Sequence, residues 1–241
     1  MIIDIFTKFL YLFILMTERN LYLSLKTVVE MLEDRGITIT SSIQNIAYSQ
    51  FLELYKTFNN YSSVFDIEGI DKNENRTIVK CIRDINDKKK GTTLGLNNQF
   101  DIKSAKKELF ELYDFSKQVQ QLKDTDTLIF VICYGERIHN THIQIEKQLV
   151  NCQLFHISQL LFNITKHKYV PKHELLSIDE IVELKKNVSI FSTTQLPTIK
   201  DTDPVARYLN MKNGDVCRIH RPSPSTKIHI CYRVCVGDSP N

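Results

Sequence analysis

Several things are scarce in this chain of 241 residues, and each scarcity closes off a class of function. There are only seven glycines, and none falls in a G-x-G-x-x-G or Walker pattern, so no phosphate-cradling loop is readable. The six cysteines, Cys81, Cys133, Cys152, Cys217, Cys231 and Cys235, have no spacing of a disulfide framework. Cys81 and Cys133 lie in apolar, strand-like runs, as buried thiols do, and a reducing compartment is expected. The apolar run from Phe9 to Met16 is far shorter than the ~20 residues that cross a bilayer. A formal net charge of +3 is too small to argue for a free-standing nucleic-acid binder. No nucleophile elbow and no Cys/His dyad can be read.

What is present is ordinary globular material, 42% hydrophobic and 24% charged, long enough for one large or two ordinary domains. Residues 1–149 hold 19 Lys+Arg against 20 Asp+Glu, while 150–241 hold 12 against 8, so the mild basicity sits in the second part. Three readings stay open for residues 1–16: a start at Met16, an additional packed helix, or a signal or anchor.

The clearest local signals are near the C-terminus. Asp203 is a good N-cap and Pro204 suits the first helical position, so a helix starts there, with Val205, Tyr208 and Leu209 on one face. Lys212-Asn213-Gly214-Asp215 reads as a turn in which Asn and Gly tolerate positive φ. Val216, Arg218 and His220 then alternate with Cys217 and Ile219, as in a half-buried strand. Arg221-Pro222-Ser223-Pro224-Ser225-Thr226 interrupts the alternation, which resumes from Lys227 to Val236. The expectation is a helix, a turn and a hairpin. Upstream, Ser177 and Glu180 form a capping box for a helix carrying Ile181, Val182 and Leu184. Val170, before Pro171, favours an extended backbone.

Earlier in the chain, Leu21, Leu25, Val28, Val29 and Leu32 form one stripe of a helix that ends at Gly36. A short strand at Ile37 and a second helix from Ser41 or Ser42, carrying Ile46, Phe51, Leu54 and Tyr55, follow. Strands are expected from Ser62 to Ile70 and from Arg76 to Ile85, the latter alternating. Asn86 to Phe100, with Lys88-Lys89-Lys90, is a solvated loop or a phosphate contact. A helix over Ser104–Leu122 leads to Thr127–Tyr134, which reads as a central buried strand. A capped helix through Leu149 and a strand at Gln153–Phe155 complete a right-handed βαβ unit. In such sheets ligands meet the loops after the strand carboxyl ends. Arg137, His139, Asn140 and Thr141 are therefore the candidate ligand-facing residues.

From Leu154 to Val236 the chain resembles the C-terminal assembly domain of the fifth shared subunit of eukaryotic nuclear RNA polymerases and of its archaeal counterpart. The resemblance is carried by Asn163-Ile164-Thr165, His167, Val170-Pro171-Lys172-His173, Leu196-Pro197, Asp203-Pro204-Val205-Ala206-Arg207-Tyr208, Gly214, Arg221-Pro222-Ser223 and Tyr232-Arg233. Asp34-Arg35-Gly36-Ile37 is similar to the start of the family's N-terminal jaw domain. The resemblance implies an α/β jaw domain over 17–149, nuclease-like in fold but catalytically inert. It also implies a small α+β assembly domain over 150–236, between an extension at 1–16 and a tail at 237–241. The implied function is that of a non-catalytic subunit of a multisubunit DNA-directed RNA polymerase, without cofactor or metal and not in a membrane. It would dock on the largest subunit and the core polymerase, and border downstream duplex DNA, with Arg137, His139, Asn140 and Thr141 as the implied DNA-facing residues. The implied docking residues are His167, Pro171, His173, Asp203, Pro204, Arg207, Tyr208, Arg218, Arg221, Pro222, Tyr232 and Arg233. The family's Thr-Pro-Ser-Ala-like motif near downstream DNA is replaced here by the 135–142 loop.

Two rivals follow from the same residues. Nuclease chemistry needs acidic groups and a lysine on adjacent strands around Mg²⁺. The chain offers Asp66, Asp87-Lys88-Lys89 and Asp101-Ile102-Lys103, and the last two, the acidic/Lys sets, lie in a loop or at a helix start rather than on a strand. The spacing of Cys152, His156, His167 and His173 loosely mimics a zinc site. The binding alternative is a free-standing DNA-associated adaptor. Richness in Ile, Lys and Asn fits an AT-rich genome, which leaves two settings: the nucleus of a protist, or the host cytoplasm and virion of a large DNA virus.

Overall fold

The computed structural model describes residues 18–40, 46–58, 66–82, 109–111, 113–118, 121–133, 140–223 and 227–237. The expectations for 1–17, for Ser41 and Ser42, for the Lys88–Lys90 loop, for Asp87 and Asp101, for Arg137 and His139, and for 238–241 lie outside them. Among the described residues no helix is long and apolar enough to cross a membrane.

The chain divides into two compact units, residues 1–162 and 163–241. The first contains α1 (Glu18–Asp34), β1 (Thr38–Ile39), α2 (Tyr48–Phe58), β2 (Ile67–Ile70), β3 (Arg76–Ile82), β4 (Thr127–Ile132), α3 (Asn140–Gln148) and β5 (Cys152–His156). Its five strands stand in sequence order, β1-β2-β3-β4-β5. The first three are antiparallel, and β3, β4 and β5 run parallel.

The expected apolar stripe of α1 is buried at Leu21, Leu25, Val28, Val29 and Leu32. The helix stops as the sequence predicts. Gly36 takes φ +75° and donates to Glu33 O, while Ile37 N reaches back to Leu32 O, which is a Schellman closure. The second helix differs from expectation. It begins at Tyr48, where the Gln50 side chain accepts from Ala47 N, so Ile46 precedes it. β3 also departs from alternation: Thr77, Ile78 and Val79 are all buried, because β3 is an inner strand covered on both faces.

One sheet face, with Ile78, Leu128, Phe130, Ile132 and Leu154, packs on Leu109, Tyr113, Ile145 and Leu149. Helices from two successive parallel crossovers in one direction lie on one face, as right-handed connections require. On the opposite face Arg35, just past α1, donates to Gln153 Oε1 at 2.9 Å.

The expected domain boundary at 149/150 is corrected by β5. It pairs with β4 from Leu128↔Cys152 to Ile132↔His156, and all five of its residues are buried. A cut at 149 would strip the parallel sheet of its last strand, so the first unit extends to Phe162.

The second unit holds β6 (Lys172–Leu175), α4 (Ile178–Val188), β7 (Thr198–Lys200), α5 (Pro204–Tyr208), β8 (Val216–Ser223) and β9 (Lys227–Val236). Its sheet order is β6-β8-β9-β7, with β7 parallel to β9 and the other pairs antiparallel. The capping box at Ser177 and Glu180 is present, and the helix ends on Ser189 at φ 54°. The turn before β8 places positive φ at Asn210 and Gly214 rather than at Asn213.

Candidate functional site

Opposed residues of an antiparallel pair share a face, and neighbours along a strand alternate. The register therefore sorts the second unit's side chains into two sets. His173 faces Ile219 and Cys231, Cys217 faces Arg233, and Arg221 faces His229. This face packs on α5, through Cys217, Ile219, Cys235 and Ile199 against Ala206 and Met211. The other face carries Glu174, Arg218, Tyr232, His220, Ile230, Pro222 and Ile228. There Val216 and Val234 pack with Leu184 of α4, Leu176 and Leu196.

The α5 face is built outward from a cap. Asp203 Oδ1 accepts from Val205 N at 2.8 Å, with Pro204 in the first helical turn. Val205, Ala206 and Tyr208 point inward, leaving Pro204 exposed and Arg207 half-buried. The buried Tyr208 hydroxyl accepts from Asn163 Nδ2 at 2.9 Å, while Asn163 Oδ1 accepts from Thr165 N and caps a 3-10 turn. The Asn163–Thr165 turn and Tyr208, which stand apart in the sequence, meet here. They are one construction.

The half-buried His173 sits among Asp203, Arg221 and Arg233. Burial pushes its pKa below the usual histidine value; the Pro171 carbonyl and Asp203 oppose this, while Arg233 and Arg221 add to it. Its Nδ1–H donates to Pro171 O at 2.7 Å, with the ring tautomer assigned from that contact. Arg233 Nη1 donates to Thr198 O at 2.8 Å, and Arg221 stands exposed. Arg221 and Arg233, with Asp203 beside them, are the charged groups that a partner surface of carboxylates and carbonyls would meet here.

The α4 face holds a network that sequence reading did not find. Glu174 meets Lys172 Nζ at 2.6 Å, His220 Nε2 at 2.9 Å and Arg218 Nη1 at 3.6 Å. Arg218 Nη2 also reaches Glu180 Oε1 at 3.1 Å, tying α4 to the sheet. Hydrogen bonds from Lys172 and then His220 hold the Glu174 carboxyl down at about 2. The hydrogen bond to Tyr232 is the largest influence raising the Arg218 pKa. Alternation alone paired Arg218 with His220. No local signal determines the register that brings Glu174 between them.

The expected docking residues thus separate. His173, Asp203, Pro204, Arg207, Tyr208, Arg221 and Arg233 gather around α5, whereas Arg218, Pro222 and Tyr232 belong to the α4 face. His167 is exposed beside Tyr169, their rings 5.8 Å apart, and Pro171 is half-buried. The hairpin runs past its neighbours: β6 stops opposite His220 and β7 opposite Val234. Arg221–Ser223 and Lys227–Ile230 therefore project as a two-stranded tip. Ile228 is 58% and Ile230 47% exposed on one side, with Arg221 and His229 on the other. Of the DNA-facing candidates, Asn140 and Thr141 open α3 and the other two lie outside the described residues. Among the described residues no three His, Cys, Asp or Glu groups converge as a metal site would require. Asp66 lies just before β2, its Oδ1 3.4 Å from Lys80 Nζ.

Residues 162–235, nearly the whole second unit, match the family described as RNA polymerase Rpb5, C-terminal domain. The chain is 44% identical over 77 residues to DNA-directed RNA polymerase subunit Rpo5 of the archaeon Staphylothermus marinus, covering 84% of that protein. The chain belongs to the Rpb5 family. Subunit 5B of DNA-directed RNA polymerases IV and V of Arabidopsis thaliana is 27% identical over 219 residues, 90% of this chain and 89% of that one. A Dictyostelium discoideum relative, subunit rpabc1 of DNA-directed RNA polymerases I, II and III, is 41% identical over 91 residues. That match spans 38% of this chain and 46% of the Dictyostelium protein, just under half its length. The Rpb5 C-terminal match begins one residue before the second unit does, so the family's domain and the compact unit coincide.

Proposed function

We propose that this chain is a non-catalytic subunit of a multisubunit DNA-directed RNA polymerase, attached to the complex through its second unit. The observation that carries the reading is the coincidence of the Rpb5 C-terminal match with a compact unit. His173, Arg207, Arg221 and Arg233, with Asp203 and Pro204 at the helix start, form the docking face for the largest subunit. Arg218 and Tyr232 hold α4 in place behind it, and the projecting tip at Pro222 extends the contact. The first unit, with its mixed sheet, is an inert relative of nuclease folds. It borders downstream duplex DNA through residues 135–142, including Arg137, His139, Asn140 and Thr141. Nucleotide addition and its metal ions belong to the large subunits. The setting is the nucleus, or the host cytoplasm and virion for a viral polymerase.

Affinity purification of the tagged full chain tests this. Two very large subunits should be recovered with it in stoichiometric amounts, together with template-dependent RNA synthesis. Recovery of the chain alone, or on DNA without those subunits, would favour a free-standing adaptor and overturn the proposal.

A further inference from the structure

The first unit contains a feature that polymerase membership does not account for. Cys81 lies near the end of β3, and Cys133 follows directly after β4. The two strands are parallel neighbours, with Cys81 opposite Val131, so Cys133 stands two residues further on the same sheet face. Their Sγ atoms are 2.7 Å apart, in contact and buried. Both are thiols.

We propose that Cys81 and Cys133 form a peroxide-responsive dithiol that closes reversibly into a disulfide joining the ends of β3 and β4. Geometry is the usual obstacle to such a bridge, since misplaced Cα and Cβ positions store strain. Here the sulfurs already touch, but the two-residue offset sets the Cα atoms roughly 8 Å apart, beyond the ~7 Å that a bridge spans, so closure must also draw the ends of β3 and β4 together. In a reducing compartment a bridge of this kind is transient and sensory rather than structural.

The chemistry balances with hydrogen peroxide as the two-electron oxidant. The Cys81 thiolate attacks one peroxide oxygen, the O–O bond breaks, and hydroxide leaves and is protonated to water. Cys81 is the better placed of the two to meet the oxidant, being 8% exposed against 2% for Cys133. The resulting S–OH is attacked by Cys133 sulfur, the S–S bond forms, and the oxygen departs as a second water. The two thiol hydrogens leave in those waters, and a dithiol reductant restores the pair. In the second unit the half-buried Cys231 is the more exposed rival, whereas Cys217 and Cys235 are weak competitors. Burial pushes both the Cys217 and Cys235 thiols up to about 11, which starves them of thiolate.

The test treats the full chain with a small excess of hydrogen peroxide, blocks remaining thiols, and maps peptides without reduction. The expected result is one intramolecular Cys81–Cys133 cross-linked peptide, a fall of two in thiol titre, and full reversal by dithiothreitol. In Cys133→Ser, Cys81 should be trapped as a sulfenic acid by a dimedone probe, with no bridge. Persistence of both thiols while Cys231 oxidises would overturn the proposal. So would direct passage of Cys81 to sulfinic acid in the wild-type chain. The wild-type map decides alone if the variant fails to fold.

Discussion

Tyr208 and Asn163 are joined by a buried hydrogen bond of 2.9 Å between the phenolic oxygen and the side-chain amide. The bond fastens α5, the helix at the centre of the proposed docking face, to the 3-10 turn that opens the second unit. Removing the hydroxyl leaves a buried amide donor without this acceptor, a loss of about 1–3 kcal/mol. Tyr208→Phe should therefore lower the urea midpoint with an unchanged denaturant slope, while Asn163→Asp should not restore it. An unchanged midpoint in Tyr208→Phe would show that this bond contributes nothing net.

The Glu174 network predicts an acid limb in the stability of the second unit. The folded pKa of about 2 is depressed from 4.5, so the contribution is complete above pH 4.5. It is lost as pH falls from there through 2, because the unfolded carboxylate takes up its proton first. With the side chain 33% exposed, solvent screening limits the contribution to ~1 kcal/mol. Glu174→Gln should be less stable than wild type at pH 6, and the two should converge towards pH 2. A gap that stays constant with pH would remove the ionic explanation.

How much of this was readable beforehand depended on whether a signal was local. The Asp203 cap, the Ser177 box and the Gly36 stop each act within one turn of backbone, and each was found as expected. The βαβ unit was legible because an apolar strand, a capped helix and a second strand follow one another directly. Its consequence for the domain boundary was missed, because the resemblance starts at Leu154, on a strand that belongs to the preceding sheet. The pairing of β6 with β8 was invisible for a different reason. Residues separated by tens of positions choose their register through packing, and a one-residue slip exchanges the faces. The β8–β9 register in the same way decides that Arg218 and Arg233, both singled out as docking residues, lie on opposite sides of one sheet.

The separation of faces gives Arg221 and Arg218 different consequences. Arg221 is exposed on the α5 face, so Arg221→Ala should leave the unfolding midpoint unchanged. Its cost falls on docking, roughly 2–5 kcal/mol if it meets a buried carboxylate and ~0–1 at a wet rim. Arg218 joins Glu174 and Glu180 within the unit, so Arg218→Ala should lower stability by ~0.5–1 kcal/mol. Competitive co-purification with tagged wild type, run beside denaturation curves, separates the two. Loss of stability in Arg221→Ala with normal docking would reverse the assignment of faces.

The boundary at Phe162 yields the most direct test of how the units divide the work. A fragment of residues 150–241 carries β5 without the strand it pairs with, exposing Leu154 and Phe155, which are 0% and 5% exposed in the whole chain. A lone strand with apolar side chains and an unpaired edge is an aggregation template. Residues 160–241 omit it and keep the Asn163 cap, both faces of the second sheet and its two core clusters. The shorter fragment should therefore be monomeric, fold cooperatively and bind the largest subunit, while 150–241 should be less soluble at equal helix content. Residues 1–162 should keep the five-stranded sheet and fail to capture that subunit. Light scattering on the two C-terminal fragments and pull-downs with all three check this. If 150–241 were the more soluble and 160–241 failed to fold, β5 would have to stabilise the second unit, and the division at Phe162 would be wrong.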